Sequence, residues 1–281
     1  MSYKDLLVVL DPAADTPARI ELAVGLAGHF AAHLVGLYPL PSPELPRAAG
    51  YADLAALEPI YHEWRERALE QAEETRAAFE RAARLGGVTV EWRAPNDGRE
   101  GEPALHARYS DLAILGQQDP AGDEIALNRP RPENVTLASG RPILVVPYAG
   151  RFATAGRSIM VAWNASREAA RAVADAMPLL ATAERVTVLT VDPQIGPDGQ
   201  GELPGADIAL HLARHGVKAQ IERTVSGDVP IGEVLLSRLA DLGADLLVMG
   251  AYGHSRTREL LLGGATRSIL ASMTVPVLMS H

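Results

Sequence analysis

Asp245-Leu246-Leu247-Val248-Met249-Gly250 sets a short apolar run between an acid and a glycine, and it has a twin at Asp111-Leu112-Ala113-Ile114-Leu115-Gly116. The two runs lie 134 residues apart (245 − 111), and so do Pro142 and Pro276 (276 − 142). One spacing kept across separate landmarks points to an internal duplication. Runs apolar at successive positions read as central strands of a parallel sheet, buried by helices on both faces.

Working outward from that pair, each half repeats an alternation of strand and helix. In the first half, Leu6-Leu7-Val8-Val9-Leu10 leads through Asp11-Pro12 to a helical pattern over Ala18 to Ala27. His33 to Tyr38 reads as the next strand, a proline-rich link follows, and a charged amphipathic helix runs from about Leu57 to Leu85. Val88, Val90 and Trp92 alternate as a strand, Ala104 to Tyr109 reads as a short helix, and Ile143 to Val146 is the fifth strand. After the junction Gly150 to Gly156 the series restarts with Ser158 to Ala162 and a helix from Arg167 to Leu180. Strands at Val186 to Val191 and Val217 to Ile221, helices at Ala206 to His215 and Ile231 to Leu242, and a last strand at Val277 to Met279 complete it. The expected architecture is therefore α/β, with two tandem five-stranded parallel open-sheet domains over residues 1–150 and 151–281. A single ten-stranded sheet is the competing arrangement.

Composition narrows the function classes. With 47% apolar residues the chain can bury a large core, and its net charge of −9 argues against a generally nucleic-acid-binding surface. Having no cysteine, it has no thiol nucleophile, disulfide or Cys-ligated zinc, and a cytoplasmic location is expected. The first apolar run stops at Asp11, too short for an export signal or a membrane span.

Open parallel sheets place ligands beyond the carboxyl ends of their strands. In the second half those positions are Ala162 to Asn164, Thr190 to Asp192, and the stretch after Gly250. Gly250 and Gly253 permit a tight strand exit and close approach of a ligand to backbone N–H groups. Gly263, Gly264, Ala265 and Thr266 precede an apolar helical stretch, where uncapped amides can hold phosphate oxygens. No lysine stands before a Ser or Thr as in a Walker loop, and no GxGxxG follows a first strand. The plain alternative is a pair of surface turns. For Asn164 it is a helix cap ahead of Ser166-Arg167-Glu168, and for Trp163 it is packing.

The pattern Gly250-x-x-Gly253, nine residues, Gly263-Gly264, then Thr266 and Val275-Pro276-Val277-Leu278 resembles the nucleotide-binding signature of the universal stress protein family. The duplication resembles that family's tandem form, and the likeness covers nearly the whole chain. It implies a Rossmann-like nucleotide-binding architecture with ATP, or ADP or AMP in its place, in the second half. The residues carried over are Ala162, Asn164, Thr190, Val191, Gly250, Gly253, His254, Gly263, Gly264, Ala265 and Thr266. Two departures stand out. The family pattern has Ser or Thr where this chain has Gly264, and an acid beyond the first strand where the second half has Asn164 and the first half Asp11. The 134-residue offset pairs Gly253 with Asp119, Gly263 with Arg129 and Gly264 with Pro130, which makes the first-half site degenerate. The resemblance also implies antiparallel pairing of Ile143–Val146 with Val277–Met279 between the halves, and a homodimer as a further assembly.

No residue is assigned a catalytic role. Ser255 beside His254 is no hydrolytic dyad, because sequence neighbours need not face one another and no nucleophile elbow is present. Asp192, Asp198 and Asp228 could assist Mg2+ beside a nucleotide, and no histidine pair stands out at metal-ligand spacing. The leading expectation is an adenine-nucleotide-binding stress or signalling regulator with neither nucleic acid nor membrane as partner. The alternatives are a ligand-independent scaffold, a slow ATPase, and a nucleotidyl-transfer enzyme.

Overall fold

The computed structural model describes residues 2–40, 51–95, 102–119, 129–193, 203–251 and 264–281, with side chains from residue 62 onward in the helix that starts at Tyr51. The first half contributes β1 (Asp5–Val9), α1 (Thr16–Phe30), β2 (His33–Leu37), α2 (Tyr51–Gly86), β3 (Val90–Arg93), α3 (Glu102–Ala107), β4 (Leu112–Gly116), α4 (Pro132–Ser139) and β5 (Ile143–Val146). The second half contributes β6 (Ser158–Ala162), α5 (Arg167–Asp175), α6 (Met177–Leu180), β7 (Arg185–Val191), α7 (Ala206–Arg214), β8 (Ala219–Thr224), α8 (Ile231–Leu242), β9 (Leu246–Gly250), α9 (Gly264–Ser272) and β10 (Val277–Ser280).

The strands form one sheet in the order β3-β2-β1-β4-β5-β10-β9-β6-β7-β8. Each half follows the order third, second, first, fourth, fifth, with parallel neighbours throughout. The halves meet where β5 and β10 pair antiparallel, Val277 opposite Val145 and Met279 opposite Ile143. The five-stranded units and the ten-stranded sheet are thus one arrangement. The joint leaves neither fifth strand as an exposed edge.

Alternation along the strands sorts the core into two layers. Leu6, Val8, Ile159, Val161, Leu246 and Val248 face α1, α2, α5, α6 and α7, while Leu7, Val9, Met160, Leu247 and Met249 face α3, α4, α8 and α9. Each layer continues across the joint, through Leu144 and Leu278 on one face and Val145 and Val277 on the other. A fully buried Leu or Val contributes about 1.5–3 kcal/mol, so the shared core adds to the three residue pairs of the β5–β10 joint in holding the halves together. Gly36 matters here: a Cβ on it would stand 2.8 Å from the Phe79 ring, so its absence lets α2 lie down on β2.

Several boundaries differ from the sequence expectation. The helix expected from Arg167 to Leu180 is two pieces, because Pro178 has no N–H for the ladder and Ala176 closes the first piece. The sequence pattern does not signal α4. Its eight residues lack a strong apolar period and begin at Pro132, which suits a first helical position. The third strands run Val90–Arg93 and Ala219–Thr224, each starting two residues later than the alternation suggests and ending beyond it. The short helix is Glu102–Ala107, and the long one begins at Tyr51.

Candidate functional site

β6 and β9 are parallel neighbours, yet the chain leaves β6 toward β7 on one side and reaches β9 on the other. Strand order therefore reverses between them, which opens a crevice at their carboxyl ends. Ala162 lies opposite Met249 in the register, so Ala162 and Gly250 end adjacent strands at this crevice. Val191 ends β7 beside them. Ala162 and Val191 pack on the α8–α9 side of the sheet, the side on which Gly264, Ala265 and Thr266 start α9.

Two candidates sit differently. Thr190 is fully buried on the α7 side, its hydroxyl directed to the Glu222 carbonyl at 3.4 Å and its methyl 3.7 Å from where a Cβ on Gly205 would stand. Gly250 meets protein rather than open space. A Cβ there would lie 2.5 Å from the Ala169 nitrogen and 2.6 Å from the Glu168 carbonyl carbon, so the glycine admits the first turn of α5. Gly264 is exposed, and a Cβ on it would meet nothing within 4 Å. Gly253, His254 and Gly263 lie outside the described residues, as does the loop between the two glycine clusters.

Asn164 is not the helix cap. Ser166 caps α5, its Oγ accepting from the Ala169 N–H at 3.1 Å, while Asn164 Oδ1 accepts from the Ser166 N–H at 3.1 Å. Asn164 thus shapes the turn into α5, and it is exposed. Glu168, in the first turn of α5, is buried and its carboxylate is 2.5 Å from Arg167 Nε. Burial pushes the Glu168 carboxyl up, but hydrogen bonds from Arg167 and from the helix start outweigh it and leave it below the usual range. Asp192, at a positive φ of 46°, pins the next loop by accepting from the Ser226 N–H at 3.0 Å and from the Ser226 hydroxyl. Those bonds hold its carboxyl below the usual range.

The same place in the first half is filled by charge. Leu6 pairs with Leu112 as Ile159 pairs with Leu246, so Leu6 and Ile159 are equivalent and Asp11, Asp15 and Arg19 stand where Asn164, Glu168 and Ala172 do. Arg19 donates to the Val9 carbonyl at 2.7 Å, to Asp11 at 2.9 Å and to Asp15 at 2.7 Å. Arg129 donates to Asp11 at 2.9 Å and to Asp15 at 2.8 Å. Two carboxylates and two guanidinia form a closed, neutral quartet in which Asp15, Arg19 and Arg129 are buried and Asp11 is partly so. The Arg19 guanidinium lies against Gly116, 2.6 Å from where a Cβ would stand, filling the position that the α5 turn takes against Gly250. This quartet escapes sequence reading because its members lie 118 residues apart at the extreme. The visible signal is Asp15 and Arg19 four apart at a helix start.

On metals, His211 of α7 and His215 at its C-terminal cap stand 4.8 Å apart between ring centroids, so a His pair at i, i+4 spacing is present where the sequence expectation named none. Among the described residues no group of three His, Cys, Asp or Glu could hold a metal ion. Among them, too, no helix is long and apolar enough to cross a membrane.

A doubly wound sheet with a crevice at its strand-order reversal and a glycine-led helix beside it defines an α/β protein of the Rossmann-like class. Residues 156–281 match the model of the universal stress protein family. A universal stress protein of Synechocystis is 37% identical over 67 residues, which span 24% of this chain and 22% of that protein. A universal stress protein from Archaeoglobus fulgidus shares the fold with a TM-score of 0.69 at 14% identity, over 98% of this chain and 97% of that one. A functionally unknown protein from Pseudomonas aeruginosa superposes with a TM-score of 0.56 at 17% identity, over 99% and 92% of the two chains.

Proposed function

We propose that this chain binds an adenine nucleotide, ATP foremost, in its second half and acts as a cytoplasmic stress-response regulator rather than a dedicated catalyst. What supports this reading is the strand-order reversal between β6 and β9 together with a glycine-led α9 on the sheet face that Ala162 and Val191 share. Gly264, Ala265 and Thr266 present helix-start amides on the same side of the sheet as Ala162 and Val191. Such amides attract phosphate oxygens through their free N–H groups and the helix dipole. The match of residues 156–281 to the universal stress protein family model supports the assignment of ligand class. Mg2+ would accompany the triphosphate, with Asp192, the residue after β7, a described acid at the strand ends.

In this reading residues 1–150 form a related domain whose own site is closed by the Asp11–Asp15–Arg19–Arg129 quartet. Ala172 and Gly263 take the places of the two arginines in the second half, and neither brings a charge. Photo-crosslinking with an azido-ATP tests the placement. Label that excess ATP competes away is expected in peptides from residues 156–281. Competable label confined to residues 1–150, or none at all, overturns the reading.

A further inference from the structure

We propose that Gln117, in the first half, is the positioning residue for the phosphate-binding start of α9 in the second half, an inference that rests on the nucleotide reading above. Gln117 follows β4 and is 1% exposed. Its N–H donates to the Val146 carbonyl at 2.8 Å, which fixes the backbone beside β5. Its Oε1 accepts from the Tyr148 N–H at 3.2 Å, and its Nε2 donates to the Leu270 carbonyl at 2.8 Å. Of the two atoms of the side-chain amide only Oε1 can accept, so the Tyr148 bond directs Nε2 toward α9.

Leu270 lies in the last turn of α9, where carbonyls have no partner within the helix. Gln117 supplies that partner from the other half of the chain, and a donor at the carboxyl end also suits the helix dipole. At the opposite end of α9, Gly232 of α8 forms the second contact. A Cβ on Gly232 would stand 2.6 Å from Ser268 Cβ and 3.1 Å from the Ala265 carbonyl. A nine-residue helix is a rigid rod of roughly 13 Å at 1.5 Å per residue, so a shift at Leu270 moves Gly264. The tie runs one way: Ala251 stands where Gln117 does, five residues past the equivalent Leu246 and Leu112, and its methyl cannot bridge the halves. The buried quartet backs the tie through a 3.4 Å contact from Arg129 Nη1 to the Gln117 carbonyl.

The test compares the full chain with Gln117→Met, which keeps the length and loses both side-chain bonds, and with Tyr3→Phe. Tyr3 donates from the first half to the Asp175 carbonyl at 2.7 Å, so its loss removes a bond between halves that does not touch α9. Gln117→Met should weaken ATP binding about fivefold, the equivalent of one hydrogen bond, and leave phosphate-free adenosine unchanged. Tyr3→Phe should leave both unchanged. Wild-type ATP affinity in Gln117→Met, or equal loss of ATP and adenosine, overturns the positioning role. If the wild type binds neither ligand, the nucleotide reading itself has failed, and the inference with it. The unaltered protein provides a second readout that needs no variant to fold. ATP, but not adenosine, should slow hydrogen exchange at the Tyr148 amide, and an unchanged rate contradicts the coupling.

Discussion

Oδ1 of Asp11 accepts from the Ala13 N–H at 3.0 Å and Oδ1 of Asn164 accepts from the Ser166 N–H at 3.1 Å, so two equivalent residues form the same turn. What differs is the outer side of each group. Asp11 turns its other oxygen to Arg19 and shares the first with Arg129, whereas Asn164 is exposed and carries an amide donor in place of a second oxygen. In the first half the position is taken up by that half's own arginines, and in the second half no arginine reaches it among the described residues.

Asn164→Ala should cost about 1 kcal/mol of stability, since the Ser166 N–H loses its acceptor, and weaken nucleotide binding severalfold. Asn164→Asp keeps the acceptor and should retain the turn. Urea melts and titrations on both variants check this. Equal nucleotide affinity in wild type and Asn164→Ala would remove Asn164 from the site.

The two glycines should respond oppositely. Gly250→Ala sets a methyl against the backbone of Glu168 and Ala169, which cannot swing aside as a side chain can, and should cost at least about 2 kcal/mol. Gly264→Ser meets nothing within 4 Å, removes a glycine from a helix start, and adds a hydroxyl beside the phosphate amides. It should leave the melting temperature unchanged or raised and strengthen ATP binding. Weaker binding in Gly264→Ser would place the phosphates elsewhere.

Arg129→Met leaves the buried Asp15 and the partly buried Asp11 with Arg19 alone. Breaking a buried charge network in this way typically costs about 3–5 kcal/mol. The loss should appear in chemical denaturation. A variant as stable as wild type would mean that the quartet contributes nothing to the fold.

The same quartet sets a pH dependence. Burial pushes the Asp11 carboxyl up, but the charges of Arg19 and Arg129, with hydrogen bonds from Arg19 and Ala13, outweigh it and hold the group below the usual carboxylate range. A depressed carboxyl stabilises the fold above its unfolded value, about 3.9, and that contribution is lost as pH falls through the lower folded value. Denaturation midpoints should therefore decline below about pH 4, and Asp11→Asn should flatten that part of the curve. An Asp11→Asn profile parallel to wild type would contradict the assignment.

Much of the fold is legible because parallel strands buried on both faces are short apolar runs, and the Asp-Leu-x-x-x-Gly twins announce themselves. Less legible is anything built from distant residues. Arg129 reaches Asp11 across 118 positions and Gln117 reaches Leu270 across 153, and neither arginine nor glutamine carries a local pattern that foretells a partner. Gly250 reads as a gap for a ligand, because sequence records the missing side chain but not which backbone moves in. Gly253, His254 and Gly263, the remaining glycine-loop candidates, fall outside the described residues.

The central claim is that one half binds nucleotide and the other is closed by its own side chains. Calorimetric titration of nucleotide-stripped protein with ATP and Mg2+ tests it most directly, because the molar ratio counts the sites. The account predicts saturation at one ATP per chain, whereas two ATP per chain, or no binding at all, would contradict it.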